Sequence, residues 1–511
     1  MLTAMRTILF SICLLCFPAS SFGQTVYFSK QYSMFPDLPS VGFKVITMPD
    51  GYAFTTLEGA SNNPQGSVLV ITDKQGNFIH TKQFLPNKSY ITGLLYHPED
   101  STFHLWGEHF IGAGQNLYQP FMLKTNWWGD TIWRKDFEHT AYNFCRNAIQ
   151  LPDGGFIMAI STSIPYPDSS IIGLIRIDSM GNELWHKKYQ SGFYQYITYG
   201  LHLKNDSTLM VGYNGYRIKI DTLLTPPDDG YGIMEMDLQG NVQFDTFYLT
   251  HYCCGDNFTG WLIPIGEERY AFVNRTPTLD PNALQWINAV DKDYNLLWQS
   301  YTSDYNISFP EYIPALTPNS KGNVVGGGIS AAETLRPHLF EMNADGEIVW
   351  ERLAKPPIMG QDFIFGSSFE SVRQTDDGGY IIAGNFQHPD GTFQSWLLKL
   401  DSMGCFEPGC QTGNYLTVGA DESPNLVSNR PELVVTPNPA DEAVHISALN
   451  GPGQLFITDV QGRPLDTVPI NIDSDVTLST QNWPPGGYII RYISKKGKLL
   501  AINKLIILHN K

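Results

Sequence analysis

Residues 181–189 read GNELWHKKY: a turn glycine, a tryptophan four residues on and a tyrosine four beyond that. The pattern returns as GDTIWRKDF from Gly129, GNVQFDTFY from Gly240, YNLLWQSY from Tyr294 and GEIVWERL from Gly346. Three residues ahead of each glycine stands Asp or Asn, the signature of a type I turn. Such turns open at Asp73, Asn126, Asp178, Asp237, Asp291, Asn343 and Asp401, at intervals of 53, 52, 59, 54, 52 and 58 residues. Only the Asp291 copy lacks the closing glycine, with Tyr294 in its place. Seven copies at that period define a repeat protein.

Each copy carries the same flanks. An apolar strand precedes the turn (IIGLIRI, HLFEM, SWLLKL). The strand after it puts Trp185, Lys187 and Tyr189 on one face by two-residue alternation. Upstream lies a second turn, PDGG at Pro152 or DDGG at Asp376, between two more short strands. Four short strands per copy make an antiparallel meander, and meanders repeated about an axis make a β-propeller. The fold class is therefore all-β, a seven-bladed β-propeller spanning 24–412. Trp133, Trp185, Phe244, Trp298 and Trp350 are read as wedges between neighbouring blades. The seventh turn is followed by CFEPGC rather than a tryptophan strand, but the N-terminal VYFSKQY has Phe28, Lys30 and Tyr32 in the matching slots. The first strand is thus expected to complete the last blade, pairing 26–32 with 395–401 and leaving no open edge.

Composition agrees. The 511 residues are 42% hydrophobic and 13% aromatic, and no helical apolar periodicity runs through them. Residues 1–23, with Arg6 before an apolar run and a small-residue end, read as a signal peptide rather than a buried first strand. No later apolar run is long enough for a transmembrane anchor. The formal net charge of −17 becomes one unit more negative without Arg6, which argues against nucleic-acid partners. Five cysteines follow the leader: Cys145, Cys253, Cys254, Cys405 and Cys410. Cys405 and Cys410 enclose a tight turn, so a local disulfide is expected; Cys253 and Cys254 suit disulfide pairing in an oxidising compartment, with Cys145 one candidate partner and the pairing of the three left open. Zinc-type cysteine spacing is absent, and no metal ligands are assigned.

After a polar linker at 413–431, residues 432–511 alternate short strands with Pro and Gly turns, as in a small Ig-like β-sandwich. PNPA from Pro437, DVQGR from Asp459, WPPGGYIIRY from Trp483 and the terminal KLIILHNK resemble the type A C-terminal sorting domain of the type IX secretion system. The resemblance covers about 80 residues and implies the type IX machinery as partner. It implies export through the periplasm and across the outer membrane of a Gram-negative bacterium, with the cargo surface-attached or released.

The repeat also has a weak resemblance to the tryptophan-docking repeats of quinoprotein dehydrogenases, some of which set a ring of two adjacent cysteines against the quinone, as Cys253-Cys254 would. The carboxylate and amide ligands of such a site cannot be assigned here. No cofactor is assigned; calcium is the one ion raised, by DKDYN at Asp291, which lacks the later glycine and acid of a calcium loop. The connections between blades fall on the face opposite the tight turns and mix Tyr, Phe and Trp with Asn, Asp and hydroxyls. Rigid aromatics beside hydrogen-bonding groups suit a sugar or a protein surface, although they could equally pack the blade tops. The candidate ligand-binding residues are Tyr142, Arg146, Tyr194, Tyr196, Tyr252, Asp256, Trp261, Tyr305 and Asp362. The functional expectation is a binding or adhesion module for an extracellular glycan or protein. The alternative is an extracellular enzyme, glycan-active or quinoprotein-like.

Overall fold

The computed structural model describes residues 26–509 apart from 35–37, 61–62, 85–88, 112–117, 138–141, 164–170, 190–193, 218–227, 252–260, 276–284, 302–311, 331–335, 356–366, 389–390, 407–409, 411–414, 418–432, 448–451, 460–462, 471–474 and 495–498. The leader at 1–23 and the Cys253-Cys254 pair lie outside these residues. Among the described residues every regular element is a strand.

Seven antiparallel sheets follow one another along the chain, at 40–84, 89–136, 142–189, 194–251, 262–301, 312–355 and 368–400. Each sheet packs on the next and the seventh on the first, so the ring closes. The fourth strand of the seventh sheet is the N-terminal Phe28–Tyr32, in register with Ser395 to Lys399 as expected. The chain leaves the ring through a Cys405–Cys410 disulfide, also as expected. It then lays Tyr415–Thr417 in parallel along the outer strand of the sixth sheet.

The purpose of the repeat is visible at each seam. In the turn opened by Asp178, the carboxylate accepts the amides of Met180 and Asn182 at 2.9 and 2.8 Å and the Asn182 side-chain amide at 2.9 Å. Asp73–Asn77, Asp237–Asn241 and Asp291–Asn295 repeat the Asp-to-Asn bonds. The preceding sheet's outer strand then grips the turn. Trp133 lies across Gly181 and Lys135 bonds Asn182 Oδ1 at 3.1 Å; one sheet on, Trp185 and Lys187 treat Gly240 and Asn241 alike. Tyr189 completes the second set by donating to the Gly240 carbonyl at 2.7 Å.

Gly181 has φ +80°, and a Cβ there would stand 2.8 Å from the Trp133 ring, so both backbone and space demand glycine. At the exceptional turn Tyr294 adopts φ 65°, and the smaller Phe244 stacks on its ring at 5.0 Å. The N-terminal strand supplies the same set to the first sheet: Phe28 covers Gly76, Lys30 bonds Gln75 O and Asn77 Oδ1 at 3.0 Å, and Tyr32 donates to Gly76 O. The aromatics are wedges, and the ring closes with the same chemistry that joins its neighbours.

The C-terminal part is a sandwich of a three-stranded and a four-stranded sheet about one apolar core that includes Leu455, Ile490, Tyr492 and Leu505. Lys504 reaches Asp130 at 3.7 Å. Arg491 and Ile493 share a cavity of about 210 Å³ with Met48, Tyr96 and Trp127. The sandwich therefore meets the tight-turn face of the first two sheets.

Candidate functional site in the central channel

An inner strand bonds to only one sheet neighbour, so its other edge faces the ring axis. Six of the seven inner strands break register near mid-length, skipping Phe43, Thr92, Arg146, Tyr196, Ile313–Pro314 and Glu370. A bulge redirects a side chain and frees backbone groups. The neighbouring sheets satisfy those groups: Gly42 N donates to Asn385 Oδ1 at 2.9 Å, Ile91 N to Ser67 Oγ at 2.8 Å, and Thr92 Oγ1 to Cys145 O at 2.7 Å. The bulges are built parts of the ring.

Lys44 follows the first bulge and Glu370 is the last. The Lys44 ammonium sits over the Trp261 ring, 4.3 Å from its centroid. Lys44 belongs to the first sheet and Trp261 leads into the inner strand of the fifth, which is not its neighbour, so this contact crosses the central hole. Arg373, three residues beyond Glu370, is close enough to oppose the Lys44 charge. All three ionic side chains keep partial surface, yet protein surrounds them, as inside a channel.

That setting moves their proton equilibria. Loss of water lowers the Lys44 pKa to about 7; Arg373 pushes the same way and Glu370 opposes. Burial raises the Glu370 pKa against a Ser368 hydrogen bond of 2.5 Å and the Lys44 charge. Burial also lowers that of Arg373. Between the second and third sheets, Glu108 is 4% exposed and its pKa is pushed up to about 7 by burial, partly offset by Arg146.

The structure brings two of the expected site residues into this arrangement. Trp261 faces Lys44 across the channel, and Arg146 is the bulged residue of its strand, its guanidinium 4.6 Å from the Phe144 ring centroid. Tyr142, Tyr194 and Tyr196 lie at the starts of inner strands, Tyr196 at a bulge. Tyr252, Asp256, Tyr305 and Asp362 lie outside the described residues. Cys145 is a free, fully buried thiol packed with Trp106 and Met158, so pairing through it is not seen; Cys253 and Cys254 lie outside the described residues.

Lys44, Glu370, Arg373 and Glu108 were missed. For the first three the signal was charge inside an inner strand, in SVGFKVITM and SFESVRQ; Glu108 sits on the second strand of its sheet, in TFHLWGEHF. No cluster of three or more His, Cys, Asp or Glu able to hold a metal occurs among the described residues. Asp291 of DKDYN spends its carboxylate on its own turn. No described helix is long and apolar enough to cross a membrane.

Comparison with known proteins places the C-terminal part. Residues 434–508 match the family of secretion system C-terminal sorting domains. No curated protein matches the chain. Among solved structures it is similar to PorZ, a surface component of the type IX secretion system of Porphyromonas gingivalis (10% identity, 91% of this chain and 75% of that one, TM-score 0.28). It is also similar to the β-propeller domain of the trilobed protease of Pyrococcus furiosus (9% identity, 70% and 93% covered, TM-score 0.40). A third is an acylaminoacyl peptidase (10% identity, 80% and 58% covered, TM-score 0.42).

Proposed function

We propose that this secreted or cell-surface protein, a β-propeller followed by a type IX sorting domain, is a binding module for an extracellular glycan or protein, engaged at the channel and at the face opposite the tight turns. The observation that carries this reading is the cross-channel pair of Lys44 and Trp261 with Glu370 and Arg373 beside it. A structural pore filled for stability alone would be apolar, because an imperfectly paired buried charge costs more than it returns. The tight-turn face is spent on the seams and meets the sorting domain through Lys504 and Arg491.

In this reading residues 1–23 direct export, 24–412 form the binding unit, 413–431 link, and 432–511 engage the secretion machinery. Glycan and surface-protein arrays probed with residues 24–431 are expected to show saturable binding that Trp261→Leu weakens. Release of a chemically altered ligand would replace the module by an enzyme. Absence of any bound class would end the reading. Removal of 432–511 in the native host is expected to leave the propeller folded and retained inside the cell.

A further inference from the structure

The channel cluster is unbalanced. Two cations, Lys44 and Arg373, stand beside one carboxylate, Glu370, whose Oε1 already accepts a hydrogen bond from Ser368. Among the described residues Lys44 makes no hydrogen bond or close ion pair, and its ammonium lies over the Trp261 ring. Arg373 donates only to the carbonyl of Val372, at 2.8 Å, leaving most of its planar fork unused. Unused cationic donors in a water-poor channel call for an anion, and an arginine fork favours a flat two-oxygen acceptor such as a carboxylate.

We propose that the channel binds a single acidic sugar residue of a glycan, with its ring carboxylate on Arg373 and Lys44 and an apolar face on Trp261. This rests on the binding-module reading and specifies its ligand. A sugar is favoured over an acidic peptide because the aromatic lies directly beside Lys44. One pyranose presents a carboxylate and a stacking face within that span, whereas an acidic side chain presents the carboxylate alone.

The test is calorimetric titration of residues 24–511 with glucuronate, galacturonate and N-acetylneuraminate. Their methyl esters, glucose and a Glu-rich peptide serve as comparisons. At least one acidic sugar is expected to bind, with its methyl ester at least tenfold weaker. Lys44→Met and Arg373→Gln should each lower affinity by about tenfold to a hundredfold, the range for a charged hydrogen bond. Arg373→Lys should recover part of that loss, and Tm measured alongside shows that each variant folds. The proposal is overturned if no acidic sugar binds, if esters or glucose bind equally, if the peptide binds instead, or if folded variants bind like the parent. Array binding to a neutral glycan or a protein would preserve the module reading while removing this one.

Discussion

The outer seams and the central channel are made from the same repeat and obey opposite rules. At the seams the copies do nearly the same thing: at most turns an aromatic covers the turn glycine, with Lys82 over Gly129 and Phe244 on Tyr294 as the variants, and Lys135 and Tyr189 bond the turns they meet. At the inner strands six of the seven copies share the bulge, and a different residue type stands at it in each: Thr92, Arg146, Tyr196 or Glu370 among them. Repetition marks where the chain must hold itself together. Departure from repetition marks where it can be specific.

The sharpest way to break this contrast is to remove the N-terminal strand. If the seams carry stability, a chain beginning at residue 38 loses both the outer strand of the seventh sheet and the grip on Gly76. Phe28 and Tyr32 are 6% and 2% exposed, and each buried side chain of that size contributes about 1.5–3 kcal/mol. Adding the lost ladder, the shortened chain is expected to show no cooperative thermal transition at 37 °C. A transition within a few degrees of the parent's would show that the seam is dispensable.

A smaller effect is expected from Gly346→Ala. With φ +86° and the Trp298 ring 2.8 Å from a new Cβ, backbone strain and overpacking together cost about 2–4 kcal/mol. Chemical denaturation should report a lower midpoint at unchanged slope. An unchanged midpoint would mean that the tryptophan seats are slack. Lys44→Met, at the channel, should lower the midpoint by much less, because it removes a cation already short of water and of a close partner.

The smallest effect is a pH dependence. Glu108 has its folded-state pKa raised to about 7 from an ordinary carboxylate value, chiefly by burial. Folding therefore binds a proton between those values, and the stability owed to this group is full at acid pH and lost as pH rises toward 7. Glu108→Gln should raise Tm at pH 8 and leave it nearly unchanged at pH 4.5. Equal shifts at both pH values would place Glu108 in wetter surroundings than its 4% exposure indicates.

Much of the architecture was legible in residue order. Turn spacing predicted the seven sheets, Phe28-x-Lys30-x-Tyr32 predicted which strand closes the ring, and Cys405 to Cys410 predicted the disulfide. Each of these depends on contacts whose partners recur at fixed sequence intervals, so one copy reveals the next. Asn182, the second half of the Asp178 turn, was overlooked, although it too recurs at Asn77, Asn241 and Asn295.

The candidate site was legible only in fragments. Trp261 and Arg146 were chosen for their residue types, and the structure supplied their companions. Lys44 lies more than 200 positions from Trp261 and still further from Glu370, and no local pattern connects three residues from three sheets. Sequence by itself determined the strands, the turns, the seam chemistry and the sorting tail, because those are set by side chains acting on near neighbours or on the next repeat. Only tertiary structure decided which charges share the axis. Closing a ring brings distant inner strands within one side-chain length of each other, and that convergence depends on the geometry of closure and not on any single segment.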